Sequence, residues 1–243
     1  MAEFNDPRTT TTSFGSVPRA GGQVVFDAGL RKHMLAIYNY MTSGVLLTGI
    51  VALLTYNSGL AVNFARGPLM WLVALSPLAI VMAMSFGANR FSKATLQMMF
   101  WGFATLMGLS MSTIFLVFTG GSIAVTFFAT AAAFAGLSLY GYTTQKSLSG
   151  WGSFLIMGVV GLIVASIANI FLKSPALMYA ISFIGVLIFA GLTAYDTQRL
   201  KNEYAVLRGT EFAGKAIILG ALSLYLDFIN MFQFLLSFMG NRE

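Results

Sequence analysis

The sequence predicts an all-α integral membrane protein, a bundle of seven transmembrane helices with its N-terminus in the cytoplasm, and three observations carry that prediction. Only 9% of the residues are charged and 57% are hydrophobic, against about 25% charged in an average globular chain, so most of the surface must face lipid. Seven apolar runs of about the 20 residues that a spanning helix needs follow one another, separated by short polar or Gly/Pro breaks. The basic residues fall unevenly on the two sides of those runs. The same composition excludes disorder, coiled coil and collagen, and with no cysteine there is neither a disulfide framework nor a thiolate metal site.

Residues 1–30 are polar and rich in Thr and Gly, and are expected to be a disordered cytoplasmic tail rather than a signal peptide or a folded domain. Residues 31–243 make the transmembrane domain. Arg31 and Lys32 stand directly before the first span, 35–56, and His33, the only histidine, is expected beside them at the headgroup level. A lone histidine makes no metal site. The second span is 68–86. The third and fourth, 96–118 and 122–142, are joined only by Thr119-Gly120-Gly121, which predicts a tight antiparallel pair. The fifth, 151–172, carries Gly158, Gly161, Ala165 and Ala168, a stripe that lets a neighbouring backbone approach closely. The sixth and seventh are 176–196 and 214–238. Trp71, Trp101 and Trp151 each fall in the first turns of a span, as belt residues do.

On the N-terminal side lie eleven basic residues, Arg8, Arg19, Arg31, Lys32, Arg90, Lys93, Lys146, Arg199, Lys201, Arg208 and Lys215, and on the other side three, Arg66, Lys173 and Arg242. That asymmetry places the N-terminus in the cytoplasm and, with an odd number of spans, the C-terminus outside. It also accounts for the net charge of +6. The charge is an orientation signal that meets anionic membrane lipid, and nucleic acid is not a partner.

Of the acidic residues, Glu3, Asp6 and Asp27 are in the tail, Glu203 and Glu211 in a connecting loop and Glu243 at the terminus, which leaves Asp196 and Asp227 within spans. An aspartate at depth costs about 2.5–3.5 kcal/mol on insertion scales, so a carboxylate kept there is a functional candidate. The midpoint between the two falls in the polar stretch 209–214 that joins spans six and seven. If that stretch is a hairpin turn, both carboxylates lie at equal height on antiparallel helices, and helix six projects beyond the bilayer through residues 200–207. Two such carboxylates in a low dielectric share a proton and titrate as a coupled pair.

Three chemistries suit that arrangement: a proton-controlled latch, a weak divalent-cation site and an aspartyl hydrolase. A structural hydrogen bond between the two helices is the plain alternative. Intramembrane aspartyl proteases also place paired aspartates on their sixth and seventh spans, and Tyr195-Asp196 matches their Tyr-Asp motif. The residues before Asp227, Leu224-Tyr225-Leu226, build a regular helix instead of the Gly-x-Gly those enzymes use, so no catalytic residue is assigned. Ca²⁺ wants six to eight oxygens and two aspartates provide at most four, leaving Thr193, Ser223 and Asn230 as candidates for the remainder. So few charges suit permeation better than storage. Arg90, at the end of span two, is either the pair's counter-ion or a snorkelling interface residue.

The segments GLTAYDTQRLK (191–201), ALSLYLDFINMFQFLL (221–236) and YGYTTQKSLSGWGSFL (140–155) resemble the bacterial, Bax inhibitor-1-like members of the transmembrane BAX inhibitor motif family, and the resemblance runs from about Phe26 to the C-terminus. It implies a seven-helix fold with the last helix central among the other six, in the bacterial inner membrane. It further implies a pH-sensitive calcium leak without resident cofactor or enzymatic activity, in which the sensor aspartates match Asp196 and Asp227. The family's latching arginine matches Arg90. Two departures are a glutamate of some channel members, replaced here by Ala79, and a longer segment between the Asp-bearing helices. Other bacterial relatives restrain a membrane-anchored AAA protease through their N-terminal tail, which implies an alternative partner for residues 1–29.

Overall fold

A computed structural model describes residues 20–66 and 69–242, and the described residues are helical throughout apart from turns and one isolated bridge. The elements are α1 (Ala20–Asn57), the short α2 (Leu60–Arg66), α3 (Leu69–Gly87), α4 (Lys93–Met111) with a 3₁₀ turn at Ser112–Leu116, α5 (Gly120–Thr143), α6 (Ser149–Leu172), α7 (Pro175–Leu207) and α8 (Ala213–Met239). Local chemistry sets several of their ends. Ser92 caps α4 by accepting from the Thr95 amide at 3.1 Å, and Ser174 caps α7 by accepting from the Leu177 amide at 3.3 Å, with Pro175 in the first turn. The α7–α8 turn is closed by Gly209 at φ +79, a left-handed conformation that glycine adopts without a Cβ clash.

Among the described residues, six helical segments are long and apolar enough to cross a membrane: Ala28–Asn57, Lys93–Leu116, Gly120–Thr143, Ser149–Leu172, Pro175–Leu207 and Ala213–Met239. The second predicted span corresponds to α3, whose apolar stretch Trp71–Gly87 is shorter. At 1.5 Å per residue it spans roughly 26 Å, just under the ~30 Å hydrocarbon core.

α8 is the core of the bundle. It packs on α1, α4, α5 and α7 and buries most of its circumference, including Leu224, Tyr225, Phe228 and Met231, while the stripe Leu219, Ser223, Leu226 and Asn230 is only partly buried and faces open space. Tyr225, wholly buried, shares a 2.6 Å hydrogen bond with the Thr48 hydroxyl, and Thr48 donates to the Ala104 carbonyl at 2.8 Å, which ties α1, α4 and α8 at one level. α3 and α6 stand further out. α3 rests on α4 and α2, and α6 rests on α7. The last helix is thus central to four neighbours rather than ringed closely by six, and a cleft stays open between α3 and α6.

Several expectations change in three dimensions. α4 and α5 do not form a tight pair: α4 packs on α1, α3 and α8, and α5 on α7 and α8. The end of α8 wedges at their junction, where the Thr119 amide donates to the Asn241 carbonyl at 3.1 Å and the Asn241 amide to Ser122 Oγ at 3.0 Å. Helical backbone begins at Ala20, inside the stretch expected to be a tail, and residues 1–19 lie outside the described residues. His33 is buried, not at a headgroup, with its ring 5.2 Å from that of Tyr204. That contact exists because α7 continues as helix to Leu207, which also puts Glu203 on a helix and not in a loop. Of the small-residue stripe on α6, Gly158 meets the Ile188 side chain, whereas Gly161 faces open space. Trp71 and Trp151 are exposed as belt residues should be, while Trp101 is half-buried against Tyr40 and Phe100.

Candidate functional site: an aspartate pair and an arginine on the α7–α8 hairpin

The hairpin predicted from the spacing of the two aspartates is present. α7 ends at Leu207 and α8 begins at Ala213, and the turn between them is held by Thr210 N to Leu207 O at 3.1 Å and Ala213 N to Thr210 O at 3.2 Å. α7 and α8 make the most extensive helix pair of the fold. Asp196 and Asp227 are each 5% exposed, line one cavity, and lie near enough for their charges to interact. The cavity has a volume of about 590 Å³ and runs between α6, α7 and α8, with Leu78 of α3 on its far wall.

The cation at the pair is Arg199. Its Nη1 is 3.3 Å from Asp196 Oδ1, its Nη2 donates to Ser223 Oγ at 3.0 Å, and its Nε is 3.5 Å from Glu203 Oε1. Asp196, Arg199 and Glu203 therefore form a ladder down one face of α7 at i, i+3 and i+7. Two buried side-chain atoms among the described residues lack a hydrogen bond, and both belong here: Arg199 Nε and Asp227 Oδ2. Leaving a buried polar atom unpaired costs about 1–3 kcal/mol, more for a charged group, which makes such atoms candidates for function.

Arg90, expected as the latch, lies exposed in the turn after α3, its amide donating to the Gly87 carbonyl at 2.9 Å, and among the ion pairs of the described residues none is its own. Ser223 and Asn230 line the cavity with the carboxylates. Thr193 does not contribute, because it is wholly buried and its hydroxyl donates to the Phe189 carbonyl at 2.8 Å. No cluster of three or more His, Cys, Asp or Glu side chains that could hold a metal ion occurs among the described residues. Around Asp227 the helix is unbroken, and Asn230 Nδ2 donates to the Leu226 carbonyl at 2.8 Å.

Sequence reasoning counted Arg199 only as an orientation charge. The signal that finds it is the carboxylate three residues before it and the second one four residues after it. It also left Gln198 unread. That side chain accepts from the Leu148 amide at 2.7 Å and donates to the Lys146 carbonyl at 2.8 Å, pinning the α5–α6 loop beside the pair.

Residues 30–243 match the family described as "Inhibitor of apoptosis-promoting Bax1". A Caulobacter vibrioides protein is 48% identical over 94% of this chain and 96% of its own length. The inner membrane protein YbhL of Escherichia coli K12 is 45% identical over 93% of this chain and 98% of its own. The protein RP147 of Rickettsia prowazekii is 43% identical over the full length of both.

Proposed function

The chain belongs to the Bax inhibitor-1-like family of membrane proteins and is a multi-pass protein of the inner membrane, and from that premise we propose that it is a passive, pH-sensitive calcium leak channel gated at Asp196 and Asp227. The observation that carries the reading is the pair itself: two carboxylates buried at the centre of an apolar bundle, lining one cavity, one of them with an unpartnered oxygen. Each costs about 2.5–3.5 kcal/mol to hold at depth, and a leak gives that cost a use, as a transient site for a cation and as a proton acceptor.

α3 supplies the seventh crossing in this reading, tilted little because it is short, and the excess of basic residues at the α7–α8 turn puts that end in the cytoplasm. The pair then lies in the cytoplasmic half of the membrane. Ca²⁺ moves inward down its gradient, and at 100 mV the potential alone contributes about 4.6 kcal/mol per divalent ion, twice the single-charge value. A pair that shares a proton titrates in two separate steps, so flux should follow one of those single-proton steps, which spans about two pH units. Deprotonation attracts Ca²⁺ but also tightens any arginine held at the pair, and these effects oppose. Arg90, at the same end, is the latch in this reading and reaches the pair in a second state.

The test is Ca²⁺ uptake into liposomes holding the purified protein, stepped across pH, for the wild type, Asp227→Asn and a variant lacking residues 1–19. Uptake that follows pH, loses that dependence in Asp227→Asn and survives removal of the tail supports the leak. Uptake no greater than in empty liposomes would shift the function to restraint of a membrane-anchored AAA protease by the N-terminal segment.

A further inference from the structure

We propose that Arg199 is a tethered cation that plugs the aspartate site, separating a cavity at membrane depth from one that opens at the α7–α8 turn, and that it opens the path by shifting from Asp196 toward Glu203. The proposal deepens the leak reading and rests on it for its physiological meaning, but the geometry is independent of flux.

A second cavity of about 560 Å³ lies between α3 and the turn end of α7 and α8. Arg199, Ser223 and Leu226 line both it and the aspartate cavity. These three side chains are therefore the common wall. Leu226 makes the wall apolar, and the Arg199 to Ser223 hydrogen bond closes it across the α7–α8 seam. Arg199 also lines a third space of about 290 Å³ with Tyr195, Gln198 and Glu203, so a guanidinium that leaves the wall has room to enter.

The charges favour such a movement. A guanidinium stays protonated at every physiological pH, so Arg199 is a permanent competitor for the carboxylate that an arriving cation needs. It holds Asp196 by one nitrogen, while its Nε is ion-paired with Glu203 at 3.5 Å but makes no hydrogen bond. A small rotation toward Glu203 completes that hydrogen bond and frees Asp196. Asp196 lies three residues before Arg199 and Glu203 four after, about one helical turn of 5.4 Å in either direction. The arginine is thus suspended between two acceptors, one in the site and one outside it. An arginine that merely snorkels would also be partly exposed, as Arg199 is at 38%, but it would not form the wall between two cavities.

The absence of cysteine from the chain makes the test direct. Asn230 lines the aspartate cavity and not the turn-side one, so the thiol of Asn230→Cys reports on water reaching that cavity. Protein in liposomes is treated, from the side of the α7–α8 turn, with a membrane-impermeant cationic thiol reagent. Arg199→Gln should speed the reaction roughly tenfold, the factor that loss of about 1.4 kcal/mol of closing energy produces, and Glu203→Gln should slow it by removing the outer acceptor. Arg199→Lys, which keeps the charge and loses the fork, should fall between, and with Glu203→Gln it preserves the test where Arg199→Gln does not fold. Equal rates in all backgrounds, or no reaction in any, overturn the plug. Labelling needs no conduction, so a protein without Ca²⁺ uptake refutes the leak while the rates still decide the plug.

Discussion

Gly141 on α5 lies directly against the backbone carbonyl of Ala194 on α7, two residues before Asp196. A Cβ there would meet main chain and not a side chain that can rotate away, so this glycine sets how closely α5 supports the helix that carries the site. Gly141→Ala should therefore lower thermal stability by about 1–3 kcal/mol, the usual cost of overpacking. Gly161→Ala on α6, where nothing lies within 4 Å, should leave the melting temperature unchanged or raise it, because alanine is the better helix former by about 1 kcal/mol. Equal melting shifts in the two variants would show that the α5–α7 approach is not tight.

Asp196 and Asp227 should differ when neutralised. Asp227→Asn replaces a carboxyl that has an unpartnered oxygen with a neutral isostere, so stability should hold or rise. Asp196→Asn weakens the partly exposed contact to Arg199 and should cost about 0.2–1 kcal/mol. Both should abolish the pH response of Ca²⁺ flux. A pH profile that survives either substitution would remove that residue from the sensor.

Arg90 is exposed, so Arg90→Gln should change stability by no more than about 0.5 kcal/mol, as surface substitutions do. If Arg90 latches the closed state, the same variant raises resting uptake. Uptake equal to the wild type would leave Arg90 as an orientation charge.

Gln198 bridges α7 to the loop between α5 and α6 through both ends of its amide. In Gln198→Ala, amide exchange at residues 144–148 should accelerate on the order of tenfold, which corresponds to about 1.4 kcal/mol and is the size expected for two neutral hydrogen bonds. Unchanged exchange would mean that the loop is held by its own turns.

The sequence by itself determined the solvent, the runs that become most of the membrane helices and the α7–α8 hairpin that carries the two aspartates. Composition and run length are local quantities, and a polar, glycine-containing stretch between two apolar runs marks the turn. It determined too that the sixth predicted span would project as helix to Leu207. What it did not determine is rotation. A helix apolar on every side has no amphipathic face to show which residues turn inward. Only the tertiary structure decided that His33 is buried against Tyr204, that α4 and α5 part around the end of α8, and that the short α3 stands with α6 at the rim. The same holds for the guanidinium at the aspartates: Arg90 and Arg199 are both basic residues at one end of the bundle, and the helical step from Asp196 to Arg199, with Ser223 across the seam, selects the second.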